Sequence, residues 1–339
     1  MSKNRSPLLY FCRTKFKNMK TPIMKKNILY AILSFAFCRT IQAQTADYKA
    51  YYQMTSQAYC ALADSNFLQA VELYEKAFAD FYPFTYDLAN LRDCYLAIGD
   101  TNSAVNSVKR MIACGWTLEE KLPVVDYRHF DNDMGAFDST RILAIREMYP
   151  SLRQEYLKKI DYEENAYWER IVYNEVLCVQ TRLRYGQKKA DYAWLTNLNE
   201  AIILLKNKEL NREKIDAWNG SFAFMALVHL AQSTEVYSHN KKVCDSLFYQ
   251  LMDLLKKEVI RGNLHPNDFA AIYDAVYSYR HDKSYYGREL TLNPKTGLNS
   301  CFPIEDVDNV DARRAEIGLP PLWTFCKIYN IKLPENYHK

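Results

Sequence analysis

One stretch of this chain echoes another after 34 residues. Ala70, Tyr74 and Ala77 lie in AVELYEKAF, and Ala104 and Val108 take matching places in AVNSVKRMI. Each segment follows a short polar turn, Asp64-Ser65-Asn66 in the first copy and Gly99-Asp100 in the second. Each turn follows a stretch with helical patterning. A helix–turn–helix unit recurring at this period cannot bury its apolar face alone, so it must stack on a neighbour. The chain's 9 Gly and 11 Pro are few for 339 residues, which argues for long helices over many short strands.

The patterning predicts helices over residues 46–62, 67–80, 86–98 and 102–114. Small residues at 58, 70 and 77 let helices approach closely, and Tyr74 and Tyr95 fill the gaps between them. This resembles the tetratricopeptide repeat. It departs from that pattern at Gln57, Arg92 and Met111, where Leu, Gly and Ala are usual. The resemblance implies a stack that binds other chains rather than one that catalyses.

Residues 1–43 read as a basic leader and signal peptide. Met24-Lys25-Lys26-Asn27 precedes the apolar run ILYAILSFAFC, and Ile41-Gln42-Ala43 closes the segment. That is a basic region, an apolar region and a small residue at the cleavage point, so cleavage is expected after Ala43. The run falls short of the about twenty apolar residues that cross a bilayer. No transmembrane segment is therefore expected after cleavage. The bulky Phe37 before Cys38 argues against a lipid anchor there. The expected location is extracytoplasmic, either periplasmic or secreted.

Charge follows from the same segment. Residues 1–43 hold nine Lys or Arg and no acid, leaving 35 basic residues against 40 acidic ones, a balance of −5. Nucleic-acid binding depends on cations that neutralise phosphates. An acidic mature chain without a basic run is not built for it.

Seven cysteines follow the leader, none in C-x-x-C spacing, which removes the common zinc and redox patterns. Cys60 and Cys94 occupy equivalent points of the two repeats. Equivalent helices lie about one helix diameter, roughly 10 Å, apart. A disulfide needs Cα atoms within about 7 Å, so this pair is expected to stay unbridged.

Residues 44–148 thus read as the repeat region with an irregular cap, and 149–339 as a second, α-helical domain. In the latter, Pro150 reads as the start of a long helix over 150–185. Further helices are predicted over 191–207, 214–236, 241–260 and 266–280, with short ones at 308–317 and 321–330. Residues 285–307 read as a short hairpin or ordered loop. The fold class is mostly α.

Three strings carry a second resemblance: NLHPNDFAAIYD at 263–274, Tyr286-Gly287, and PIEDVDNVDARRAEIGLPPL at 303–322. Together they resemble an uncharacterised bacterial domain family found in exported proteins, sometimes beside helical repeats. The resemblance implies a Gln-His pair closing a central helix, a Tyr-Gly-Thr-Gln string and an Asp-Gln-x-x-Arg element. This chain offers His229 and Gln232 unpaired, Tyr286-Gly287-Arg288-Glu289, and Gln180 with Arg184 but no Asp. The retained Pro303, Glu305, Asp306, Arg313, Arg314, Gly318, Leu319 and Pro320 read as framework.

The six histidines form no i, i+4 pair, and neither H-E-x-x-H nor G-x-S-x-G occurs. No metal or cofactor is expected. The candidate site residues are His229, Tyr286, Arg288, Glu305 and Arg314. If a site exists there, one of Arg313 and Arg314 is expected to turn inward toward Tyr286 and His229 and the other to pair with acids; a purely framework cluster would leave both near the surface. The leading expectation is an interaction or scaffold module whose partner is another protein or peptide. The alternative is a hydrolase or small-molecule site in the C-terminal domain. An open aromatic face on residues 46–115 would favour the first. A closed polar pocket joining His229, Tyr286, Arg288 and Glu305 would favour the second.

Overall fold

A computed structural model describes residues 48–117, 137–215, 241–292 and 299–338. Four helices open it: α1 (Lys49–Ala63), α2 (Phe67–Asp80), α3 (Thr85–Ala97) and α4 (Thr101–Ala113). The second helix of each hairpin starts 34 residues after its counterpart. The two turns also match. Ser65 and Gly99 hold positive φ, 60° and 80°. Asn66 and Asp100 each send an amide back to the carbonyl five residues earlier, Ala61 and Tyr95. That arrangement satisfies carbonyls orphaned at a helix end. Asp100 then caps α4 by accepting from the Ser103 amide at 3.0 Å.

The predicted helix at 150–185 is two helices. α5 (Ser139–Leu157) runs through Pro150, and α6 (Tyr162–Tyr185) follows after a break. Proline removes one backbone donor from α5. The helix persists because Ile145 and Tyr149, ahead of the proline, bury against Ala104, Val108 and Ile112 of α4. Asp161 ends the break, accepting from the amides of Glu163 and Glu164.

α7 (Gln187–Asn207) begins before the predicted 191 and packs on α6. The helix predicted over 214–236 lies outside the described residues from 216 onward. α8 (Lys241–Ile260) and α9 (Pro266–His281) form where predicted. The expected hairpin is present: β1 (Leu290–Leu292) pairs antiparallel with β2 (Asn299–Cys301), Leu290 facing Cys301. A 3-10 turn at Val307–Asn309 leads into α10 (Val310–Glu316), and α11 (Leu322–Ile328) follows. Among the described residues, no helix is long and apolar enough to cross a membrane.

One core cluster runs from Tyr48 and Tyr74 in the hairpins through Trp168, Leu198 and Phe248 to Leu319. Arg212, in the loop after α7, ties its parts together. It donates to the carbonyls of Pro83, Tyr82 and Gly262, and its guanidinium lies 3.7 Å from the centre of the Phe84 ring. A planar cation with five donors suits this task, stacking on a ring while it bonds several oxygens. A smaller cluster of Val310, Leu322, Phe325, Cys326 and Ile331 closes the C-terminal end.

Candidate functional site

Asp274 is the centre of the polar cluster in the C-terminal region. The α9 face around it is apolar, with Phe269, Ala270, Ile272 and Val276 buried, and Asp274 itself is fully buried. α9 stops at Asp282, in the left-handed region at φ 53°. The chain then folds back as Ser284-Tyr285-Tyr286-Gly287-Arg288. This turn wraps the carboxylate. The amides of Tyr285, Tyr286 and Arg288 donate to it at 2.7–3.1 Å, and the Ser284 hydroxyl donates as well. Gly287 has φ 74° and its amide donates to Ser284 Oγ at 2.9 Å. Burial pushes the Asp274 carboxyl up, and the surrounding donors oppose that shift.

Arg314 locks the turn from the other side. It is 1% exposed. Its Nη1 donates to the Tyr286 carbonyl at 2.7 Å and its Nε to the Pro320 carbonyl at 2.7 Å. Burial, then the neighbouring Arg288 charge, draw its pKa down to about 10, so it stays charged at neutral pH. Arg313 is also mostly buried, its side chain 11% exposed, with its guanidinium 4.6 Å from the centre of the Tyr285 ring. It donates to the carbonyls of Tyr285, Asp306 and Glu305 and lies 3.6 Å from the Asp306 carboxylate. One arginine faces inward and one pairs with an acid.

The structure thus brings Tyr286, Arg288 and Arg314 together. The Arg288 guanidinium lies over the Phe325 ring at 4.4 Å, and its buried Nε has no hydrogen-bond partner. Glu305 joins through its backbone, the amide donating to the Ser284 carbonyl, while its carboxylate pairs with Lys283 at 2.9 Å. His229 lies outside the described residues. The chemistry of this cluster is internal: a buried anion and a buried cation both directed at backbone.

A second polar group sits where the hairpins meet α9. Tyr51 donates to the Asp87 carboxylate at 2.6 Å, and His265 Nε2 stands 3.6 Å from the same oxygen. His265 caps α9, its Nδ1 accepting from the Asn267 amide. The adjoining recess of ≈ 20 Å³ has room for about one water. Among the described residues, no group of three His, Cys, Asp or Glu could hold a metal ion.

The open aromatic face that would favour an interaction module does not form on the hairpins. Tyr51, Tyr52, Tyr59, Tyr74, Phe78 and Phe84 are buried. The large opening lies beside them. A groove of ≈ 720 Å³ runs between α1, the end of α8 and residues 315–319. Tyr52, Val259, Ile317 and Leu319 form its apolar floor. Gln53, Gln57, Lys256, Glu316 and the exposed Ile260 rim it. Two glycines permit the close approach that shapes it. A Cβ on Gly318 would stand 2.6 Å from the Tyr52 side chain, and one on Gly262 would stand 2.2 Å from the Tyr48 ring.

Sequence reasoning missed Asp274, Ser284, Arg212 and the groove. One signal for Asp274 was available: an acid at a core position of an otherwise apolar helix stripe.

Residues 236–333 match a family of unknown function, DUF6624. The match takes in Asp274, the 284–288 turn, Glu305 and Arg314, and excludes position 229. Comparison of the chain with curated proteins and with solved structures gives no match.

Proposed function

We propose that this chain is an exported interaction module whose tetratricopeptide-like hairpins and C-terminal helical domain together frame one docking groove. The occupant is a peptide segment of another protein that presents an apolar side chain. The observation that carries this reading is the ≈ 720 Å³ groove, with its apolar floor and its rim of amides and charges. Its volume is within the range of about 300–1,000 Å³ usual for ligand sites. The Asp274 and Arg314 groups support the same reading. Their hydrogen-bonding capacity is directed at the chain's own backbone, so they hold the walls rather than face a substrate. The hydrolase alternative would need those groups to face an opening.

Selection of a random peptide library against the mature protein tests the proposal. Enriched peptides should bind the wild type and lose about tenfold or more in affinity, about 1.4 kcal/mol, with Ile260→Glu or Gln53→Trp. Leu143→Glu, on the exposed side of α5, should bind as the wild type does. Equal binding by all variants, or no enriched peptide, would overturn the reading. The export component has its own test. N-terminal sequencing of material expressed with its own leader should begin at Gln44 or within a few residues.

A further inference from the structure

Cys301 ends β2, and Cys326 lies in α11. Their sulfurs stand 3.4 Å apart. This proximity is held from both sides. The Cys301 amide donates to the Lys332 carbonyl at 3.2 Å, and the adjacent Ile331 amide donates to the Cys326 carbonyl at 2.8 Å. Residues 331–332 therefore pin both cysteine backbones. Val310, Leu322, Phe325 and Ile331 pack around the buried Cys326, while Cys301 lies at the edge of that cluster, half-buried.

We infer that Cys301 and Cys326 are a paired dithiol that closes to an intramolecular disulfide, taking a low-molecular-weight disulfide as its oxidant. Cys301 loses its proton to solvent, and the thiolate attacks one sulfur of the oxidant. The oxidant's S–S bond breaks and its other half leaves as a thiolate. Cys326 gives its proton to that leaving thiolate and attacks the Cys301 sulfur. The mixed S–S bond breaks, the Cys301–Cys326 bond forms, and the second half leaves. Two protein thiols have lost two electrons and two protons, and one small disulfide has become two small thiols. The electrostatics run in the same order. The hydrogen bond with Cys326 holds the Cys301 thiol down, and the same contact, with burial, pushes Cys326 up. The less buried thiol, held at the lower pKa, attacks first, and the buried one resolves.

The inference stands apart from the groove, and its test does not touch it. The full chain is treated with oxidised glutathione and then unfolded with N-ethylmaleimide present. Digestion and mass spectrometry follow. The expected result is a linked pair of peptides carrying Cys301 and Cys326, lighter by two hydrogens than the two thiols. Cys326→Ser should stop at a glutathione adduct on Cys301. Cys301→Ser should leave Cys326 as an alkylated thiol. A stable glutathione adduct on Cys301 of the wild type would overturn the inference, as would full alkylation of both cysteines. The wild-type map decides the matter even where a variant does not fold.

Discussion

The Tyr52 hydroxyl donates to the Val259 carbonyl at 2.7 Å, across 207 residues of chain. Val259 lies in the last turn of α8, where carbonyls lose their helical partners. Tyr52 supplies one such partner from α1 and packs its ring against the Gly318 turn. The hairpins and the C-terminal region are thus satisfied by each other.

Arg314 is the first target for mutation. Arg314→Met keeps the packing volume but strands the Tyr286 and Pro320 carbonyls. An unpaired buried polar group costs about 1–3 kcal/mol, so a loss of about 2–4 kcal/mol is expected in urea unfolding. Arg314→Lys should recover little of it, because an ammonium lacks the planar fork that reaches both oxygens. A wild-type midpoint for Arg314→Met would show that the cation does not hold the turn.

Two glycines separate crowding from backbone strain. Gly262 and Gly186 share positive φ, 76° and 83°. A Cβ at Gly262 meets the Tyr48 ring, and one at Gly186 meets nothing within 4 Å. Gly186, at φ 83° and ψ 170°, holds a conformation that is essentially glycine's alone, so Gly186→Ala should cost about 1–3 kcal/mol from backbone strain by itself. Gly262→Ala should cost about 1–3 kcal/mol more, from overpacking. A wild-type melting temperature for Gly262→Ala would contradict the close approach of α1 to the end of α8.

Ala70 and Ala77 in α2 are fully buried. Ala70→Leu or Ala77→Leu should each destabilise the chain by roughly 1–3 kcal/mol. Thermal melts measure this directly, and unchanged melts would mean the helix contact at α2 is loose.

The buried thiols set the alkaline limit. Burial pushes Cys94 and Cys178 up to about 12 from an ordinary 9.0. A group whose pKa is raised by folding contributes fully below its unfolded value and is lost as pH rises toward the folded one. Stability should therefore fall between about pH 9 and 12, the window of those two values, with half-buried Tyr95, pushed up to about 12, adding to it. Urea midpoints across that range test the sign. The same shift should keep both thiols unreactive to iodoacetamide at pH 8 in the native chain.

The helical hairpins were legible because their signals are local. Turn chemistry at Ser65 and Gly99, and small residues at 70 and 77, sit in short windows that a period can reveal. Pro150 misled because a local breaker was outweighed by the distant packing of Ile145 and Tyr149 on α4. The inward arginine could be anticipated because Gly287 and Pro303 are placed to fold the intervening loop back onto the helices. Its counterpart, Asp274, could not be paired with anything. Its donors are backbone amides of residues 285, 286 and 288, and no side-chain pattern marks an amide. Arg212 was invisible for the same reason: it reads carbonyls from two separate stretches, residues 82–83 and Gly262, out of an ordinary charged segment. The groove was hidden because its walls come from parts of the chain about 200 residues apart.

The shared core also sets an order of events during synthesis. The ribosome delivers α1 long before the Val259 carbonyl that its Tyr52 needs. At about 5–20 residues per second, the 207 residues between them take about 10–40 s to emerge. For that interval the nascent hairpins expose an unfinished aromatic face, and a holding chaperone would meet its target there. The 284–288 turn waits for nothing comparable, since its donors lie only 10–14 residues beyond Asp274. That turn can therefore close on Asp274 soon after it leaves the exit tunnel, while the first hairpins must wait for the rest of the shared core.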